Sequence, residues 1–264
     1  MDLGFGGASV VVQGGTGGMG RAAAECLARE GARVAVLARS KERIDETVAA
    51  LRELGSPDAV GYPVDVTDDF GVRTVFLAIE KRWGELNALI NMVGPEVVGN
   101  FEELTDDQWM SALNQGAMGM VRCVRSAIPL LRRAEWARIV NVSARSTKAQ
   151  TAPLVAYTAA KSVVTSVSKN LSLSLAPDEI LVNTISPGSF ATPALQGWAS
   201  SVGVDPSDPY AIMSAIADHF GHPAHLPRAG RPEEIGPVVA FLASRCNSYM
   251  TGADVNVDGG SDFT

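Results

Sequence analysis

Five glycines crowd into the seven residues Gly14-Gly15-Thr16-Gly17-Gly18-Met19-Gly20, between the apolar run Val10-Val11-Val12 and a stretch over 19–30 with the composition of a helix. The run suits a strand buried on both faces of a parallel sheet. A turn without side chains at that junction lets the backbone approach a ligand closely. It also leaves the first N–H groups of the helix free to hold a pyrophosphate. The turn reads either as Gly15-x-Gly17-x-x-Gly20 or as Gly14-x-x-x-Gly18-x-Gly20, and spacing alone does not choose. Strand and helix context favours a nucleotide cradle over a flexible loop, with Gly14, Thr16, Gly17, Gly18, Met19 and Gly20 as its candidate contacts.

The strand–helix alternation continues along the chain. Apolar runs of strand length recur at 34–37, 59–63, 88–90, 139–142 and 181–185, and 255–257 ends the series. Helical patterns cover 41–54, 68–83, 106–131, 153–175 and 232–243. Such alternation predicts an α/β fold, a single-domain Rossmann-like doubly wound parallel sheet with helices on both faces and a ligand crevice at its strand ends. At 264 residues and 46% hydrophobic, the chain has core enough for one domain over 1–264. Residues 193–228 differ in texture, with prolines at 206, 209, 223 and 227 around a helical piece near 210–220. A long insertion beside a crevice is predicted to be a substrate lid.

Composition excludes several classes of partner. A net charge of −7 without a run of lysine or arginine argues against nucleic acid and points to small molecules. No apolar stretch is long enough for a membrane span, and the start at Met1-Asp2 lacks the basic region of a signal peptide. Cys26, Cys123 and Cys246 are odd in number and widely spaced, as expected of reduced thiols, so a cytoplasmic location is expected.

Tyr157 and Lys161 stand four apart in Tyr157-Thr158-Ala159-Ala160-Lys161. On a helix, that spacing holds a phenol and an ammonium on one face, a pair suited to moving a proton. The ammonium is expected to favour the phenolate and lower the tyrosine's pKa from its usual value near 10.

Taken in order, these features resemble the short-chain dehydrogenase/reductase family along nearly the whole chain. The motifs are the Gly14/Gly18/Gly20 turn, Asp65-Val66, Asn91-Met92-Val93-Gly94, Asn114, Tyr157 with Lys161, Pro187-Gly188-Ser189-Phe190-Ala191-Thr192 and Val257-Asp258-Gly259-Gly260. The resemblance implies a nicotinamide-dependent oxidoreductase in which Tyr157 is the acid/base and Lys161 also binds the nicotinamide ribose. It further implies that Asp65 and Val66 border the adenine, Asn91 and Gly94 its ribose, and Phe190 and Thr192 the carboxamide. Asn114 would hold a water linking Lys161 to solvent, and four copies of the chain would form a homotetramer. Three segments also have plainer readings: Asp65 as a turn or helix cap, Pro187-Gly188 as a bare turn, and Asn114 as a polar group at a helix kink.

Two positions set this chain apart. The family's third catalytic group, a serine thirteen residues before the tyrosine, is here Ala144, in Asn141-Val142-Ser143-Ala144. Alanine donates no hydrogen bond, so little or no turnover by a nucleotide-binding protein is the rival reading. Ser143, Ser146 and Thr147 are the nearby hydroxyls, and strand alternation turns Ser143 away. Arg145 and Lys148 read either as anchors for an anionic substrate or as a solvated basic loop. At the second position, the end of the second strand, Ala38-Arg39 replaces the carboxylate of an NAD site, and Arg39 suits a 2′-phosphate. NADP(H) is therefore expected over NAD(H), although Gly17 leaves the turn without the second basic residue the family often places there. His219, His222 and His225 cluster around Pro223, and they read as polar contacts of the lid rather than as metal ligands.

Overall fold

In the computed structural model, which describes residues 2–261, seven parallel strands form one sheet in the order β3-β2-β1-β4-β5-β6-β7. They are β1 Ser9–Gln13, β2 Arg33–Ala38, β3 Ala59–Pro63, β4 Ala88–Asn91, β5 Ala137–Val142, β6 Ile180–Pro187 and β7 Asp254–Val257. The order reverses between β1 and β4, where the first and second halves of the chain part and a crevice opens at the strand ends. In register, Gln13 lies beside both Leu37 and Asn91, and Asn91 beside Asn141. The motif residues that follow these positions therefore emerge on one edge.

Period-two alternation assigns the two faces of the sheet. Val10, Val12, Val34, Val36 and Ile90 pack beneath α1 Gly18–Arg29 and α9 Pro232–Ala243, with Leu27 and Val239 among the helix residues. Val11, Ala35, Leu37 and Leu89 face α3 Asp69–Trp83, α5 Gly119–Leu131 and α6 Val155–Ser174, with Val72, Met120 and Val164. Because both faces are covered, the strands read as continuous apolar runs. Helix α2 Lys41–Glu53 starts where Ser40 caps the Arg43 N–H, and α3 starts where Asp68 caps Phe70.

The helix expected over 106–131 is interrupted. Helix α4 Asp106–Leu113 passes into a π-helical turn, Asn114–Met118, before α5 begins. The widened turn and the start of α5 each present a glycine to crowded neighbours: a side chain at Gly116 would strike Pro95 and Ala160, and one at Gly119 would strike Val66. Residues 193–228 contain two helices rather than one, α7 Pro193–Ser201 and α8 Pro209–Phe220. They enclose a third apolar cluster built on Ala199, Ile212, Met213 and Ile216.

Candidate active site

At the C-terminal end of β1, Gly14 turns the chain with a φ of 79° that side chains rarely adopt. A Cβ on Gly20 would strike the Gly14 carbonyl oxygen. Gly18 opens α1 with a φ of 50°. Positive φ falls at Gly14 and Gly18, while Gly15 and Gly17 of the other register also leave no room for a Cβ, beside Val36 and Arg43. Together with Thr16, Gly17 and Met19, the glycines Gly14, Gly18 and Gly20 wall a cavity of about 480 Å³ that also reaches Arg39, Asp65, Val66, Gly94 and Thr192.

Two arginines face this cavity, one of them missed in the sequence. Arg39 Nη2 donates to Glu96 Oε1 across 2.9 Å, an exposed pair. Arg43, one turn into α2, reaches back over the glycine turn: Nη2 lies 3.5 Å from the Thr16 carbonyl and 2.6 Å from where a Gly17 Cβ would stand. Gly17 therefore makes room for a second guanidinium, and the turn needs no basic residue of its own. The Arg39/Arg43 spacing on a helix start was the available signal.

Several expected contacts fall elsewhere. Asn91 turns into the core, where its amide donates to Asn141 Oδ1 at 2.7 Å, and Asn141 in turn donates to Ser168 Oγ at 2.9 Å. It clamps strand ends and brings no side chain to the cavity wall; Met92, Val93 and Gly94 supply that wall. Asp65 forms the expected turn, accepting from the Thr67 N–H and hydroxyl at 2.8 and 2.7 Å, and it also lines the cavity. Asn114 Oδ1 accepts from Arg122 Nη2 at 2.7 Å. That bond ties Asn114 to α5 across the helix interruption, as the plainer reading has it.

Helix α6 carries Tyr157 and Lys161 to the crevice. Lys161 is buried, and Nζ donates to the Val142 carbonyl at 2.7 Å and the Val93 carbonyl at 3.1 Å, at the ends of β5 and β4. A Cβ on Gly94 would sit 3.4 Å from Lys161 Nζ and 3.6 Å from Tyr157 Cε2, so both side chains converge on that glycine. Burial pushes the Tyr157 phenol up to about 12 and the Lys161 ammonium down to about 7. For the phenol this reverses the expected direction, and the cause is loss of solvent, which disfavours the charged phenolate. A phenol held neutral is a proton donor in waiting.

Tyr157 opens onto a second cavity, of about 550 Å³, whose wall includes Ala144, Ser146, Pro187, Gly188 and Phe190. It adjoins the first at Met19, Glu96, Thr192 and Ala194. Ser143 faces the other way, as alternation predicted, with Oγ 2.7 Å from Thr165 Oγ1. The Thr147 hydroxyl is spent on the Ala144 carbonyl. Ser146 Oγ accepts from Thr158 Oγ1 at 3.0 Å, which leaves its own proton to donate. The solvated reading fails for Arg145, which is buried and donates through Nε to the Ser261 carbonyl at 2.9 Å, whereas Lys148 is exposed and pairs with Asp254 and Asn256. Gly188 is more than a bare turn, since any Cβ there would meet the Asp258 backbone.

Helices α7 and α8 form the far wall through Leu195, Trp198, Ile216 and Phe220. The three histidines part company. His219 Nδ1 is 2.9 Å from the Ala215 carbonyl, His222 borders the cavity, and His225 packs beside Gly260. Among the described residues, no three potential metal ligands come together, and no helix is long and apolar enough to cross a membrane.

A nicotinamide dinucleotide fits the first cavity on the observations above. The glycine turn leaves a cradle that side chains would fill, α1 opens there without a side-chain cap, and two guanidinium groups stand at the end away from Tyr157. The family model described as enoyl-(acyl carrier protein) reductase matches residues 14–262. Meso-2,3-butanediol dehydrogenase of Serratia marcescens is 30% identical over 252 residues, covering 96% of this chain and 93% of that protein. The rhamnolipids biosynthesis 3-oxoacyl-(acyl-carrier-protein) reductase of Pseudomonas aeruginosa is 29% identical over 255 residues, covering 95% and 94%. The solved structure of L-sorbose reductase from Gluconobacter frateurii, complexed with NADPH and L-sorbose, superposes with a TM-score of 0.91 at 28% identity and covers 100% of both chains. Fold, motif order and relatives agree: this chain belongs to the short-chain dehydrogenase/reductase family of oxidoreductases.

Proposed function

We propose that the protein is an NADP(H)-dependent oxidoreductase that interconverts a carbonyl and a secondary alcohol on a hydrophobic or acyl-type substrate. The observation that carries this reading is the convergence of Tyr157, on the wall of the second cavity, and Lys161 on Gly94, on the wall of the first. When bound, the nicotinamide supplies or accepts the hydride. The protein's own work is to place the substrate oxygen at the Tyr157 hydroxyl and to move one proton there. In reduction the neutral phenol donates; in oxidation it must first lose its proton, which the Lys161 ammonium favours below about pH 7, where that group is charged. Below about pH 7, where Lys161 is an ammonium, the two N–H groups held by Val93 and Val142 leave a third for the ribose hydroxyls.

Ser146 takes over the task of the serine missing at Ala144, donating to the substrate oxygen from two residues further on. Arg39 and Arg43 pair with the 2′-phosphate, as the lack of a carboxylate at Ala38 and the NADPH bound by L-sorbose reductase both support. NAD(H) is the weaker ligand. Residues 193–228 serve as the substrate lid, and the named activities of the relatives, on a diol, a sugar and an acyl thioester, span the class. The family's homotetramer is expected, and sedimentation at micromolar concentration giving a stable monomer would count against it.

Ala144 favours a second reading, a nucleotide-binding protein with little turnover. The test is NADPH consumption across ketones and 3-oxoacyl thioesters with the wild type, Ala144→Ser and Ser146→Ala. Turnover that falls in Ser146→Ala supports the oxidoreductase with its displaced donor. Tight NADPH binding without turnover, relieved by Ala144→Ser, supports the second reading.

A further inference from the structure

Four charged side chains stand on the wall of the first cavity: Arg39, Arg43, Asp65 and Glu96. The two arginines come from the β2 side, and Asp65 is committed to the turn at Thr67. Glu96 differs. Among the described residues its carboxylate has a single partner, the Arg39 guanidinium, 2.9 Å from Nη2. Arg39 directly follows β2, whereas Glu96 lies in the loop after β4, and these two strands flank β1 on opposite sides. The carboxylate thus comes to Arg39 from the far bank of the crevice, past the end of β1 where the glycine turn begins.

The fold does not depend on this contact. The side chains are 66% and 70% exposed, and an ion pair in that setting shifts an equilibrium by a factor of about one to five. What the contact does is occupy the guanidinium that has been assigned to the 2′-phosphate. A phosphate brings a larger charge than a carboxylate and three acceptor oxygens, and two anions on one guanidinium repel each other. Glu96 has somewhere to go on leaving Arg39: it is exposed and also borders the second cavity, so its carboxylate keeps its water.

We infer that Glu96 is an internal competitor for Arg39, displaced by the 2′-phosphate when NADP(H) binds, and so sets how far NADP(H) is preferred over NAD(H). The inference rests on the reading that Arg39 holds the 2′-phosphate and adds a specificity-determining residue to it. NAD(H), with a hydroxyl in place of the phosphate, leaves the Arg39–Glu96 pair in place. Breaking the pair therefore opposes the binding of NADP(H) alone, and Glu96 narrows a preference that the arginines create.

The test is fluorescence titration of NADPH and NADH into the full chain as wild type, Glu96→Gln, Arg39→Ala and the double variant. Both side chains are exposed, so the substitutions spare the core. Glu96→Gln should tighten NADPH about threefold and leave NADH within about 1.5-fold. In the Arg39→Ala background, adding Glu96→Gln should change NADPH affinity by less than about 1.5-fold, because nothing is left to compete for. NADPH affinity unmoved by Glu96→Gln overturns the inference. An equal gain for both nucleotides also overturns it, since the carboxylate would then merely repel the pyrophosphate, and so does a gain that persists without Arg39. Weaker NADPH binding in Arg39→Ala with no gain in Glu96→Gln removes the inference and leaves the 2′-phosphate on Arg39, whereas NADPH affinity unchanged in Arg39→Ala removes both.

Discussion

At the scale of single residues, the site rests on one lysine whose ammonium is buried and held by two strand-end carbonyls. Tyr157, one turn earlier on the same helix, is a neutral phenol because burial raises its pKa to about 12. Tyr157→Phe should therefore lower kcat by about 10²–10⁴-fold while NADPH affinity, measured by fluorescence titration, stays within about threefold. The pH profile follows from the same shift. A raised phenol pKa keeps the proton donor charged with its proton, so kcat/KM for reduction should not fall between about pH 8 and pH 10, as it would for a phenol with the ordinary pKa. A decline across that range with an apparent pKa near 10 would contradict the burial effect. Tyr157 and Lys161 are legible in the sequence because the period of a helix alone puts them together. Asn91, Asn114 and Arg43 are not, because their roles depend on which way each side chain turns at the end of its element. Asn91 meets Asn141 on the neighbouring strand, Asn114 meets Arg122 across a π-helical turn, and Arg43 meets a space that exists only because residue 17 is glycine.

At the scale of elements, the junction of β1 with α1 and the first turn of α2 act as one unit. The glycine turn brings backbone to the ligand, and α2 contributes the charge that the turn lacks. Arg39→Ala and Arg43→Ala should each weaken NADPH binding about tenfold or more, leaving NADH within about twofold, since hydrogen bonds to charged groups contribute about 1.5–3 kcal/mol. An equal loss for both nucleotides would mean that Arg43 only braces the turn. The strand–turn–helix signal is local in sequence, which is why the nucleotide cradle is readable there; the split of 106–131 is not, since Gly116 and Gly119 answer to Pro95, Ala160 and Val66. A second joint lies where 193–228 rejoins the body. Arg228 grips the Glu234 carboxylate at 2.7 and 2.8 Å while the Arg231 N–H adds 2.7 Å, and together they hold the Glu234 pKa down to about 2. A depressed carboxylate contributes stability above its unfolded value of 4.5 and loses it as the pH falls toward about 2. Because the pair is about one-third exposed, Glu234→Gln should cost only about 1 kcal/mol in urea unfolding at neutral pH. The difference should vanish near about pH 2.

At the scale of the whole molecule, one topological fact places the chemistry: the sheet reverses its order between β1 and β4, so both cavities open at the same edge. The doubly wound architecture is legible because both faces of every central strand are covered, which turns each strand into an apolar run too short to be a helix. The shape of the substrate cavity is much less so. Its walls come from the loops after β4 and β5, α6, β6 and α7–α8, and nothing local in any of them announces that they meet. Ser146 and His222 belong to that wall, and only the assembled fold separates them from Ser143 and His219. The most direct measurement of the central claim is NADPH and NADH binding to the purified chain, followed in the same samples by oxidation of the reduced cofactor across ketones and 3-oxoacyl thioesters. The proposed activity predicts tighter binding of NADPH and turnover of at least one carbonyl that is lost in Tyr157→Phe. Binding of neither nucleotide, or turnover that survives loss of the Tyr157 hydroxyl, would contradict it.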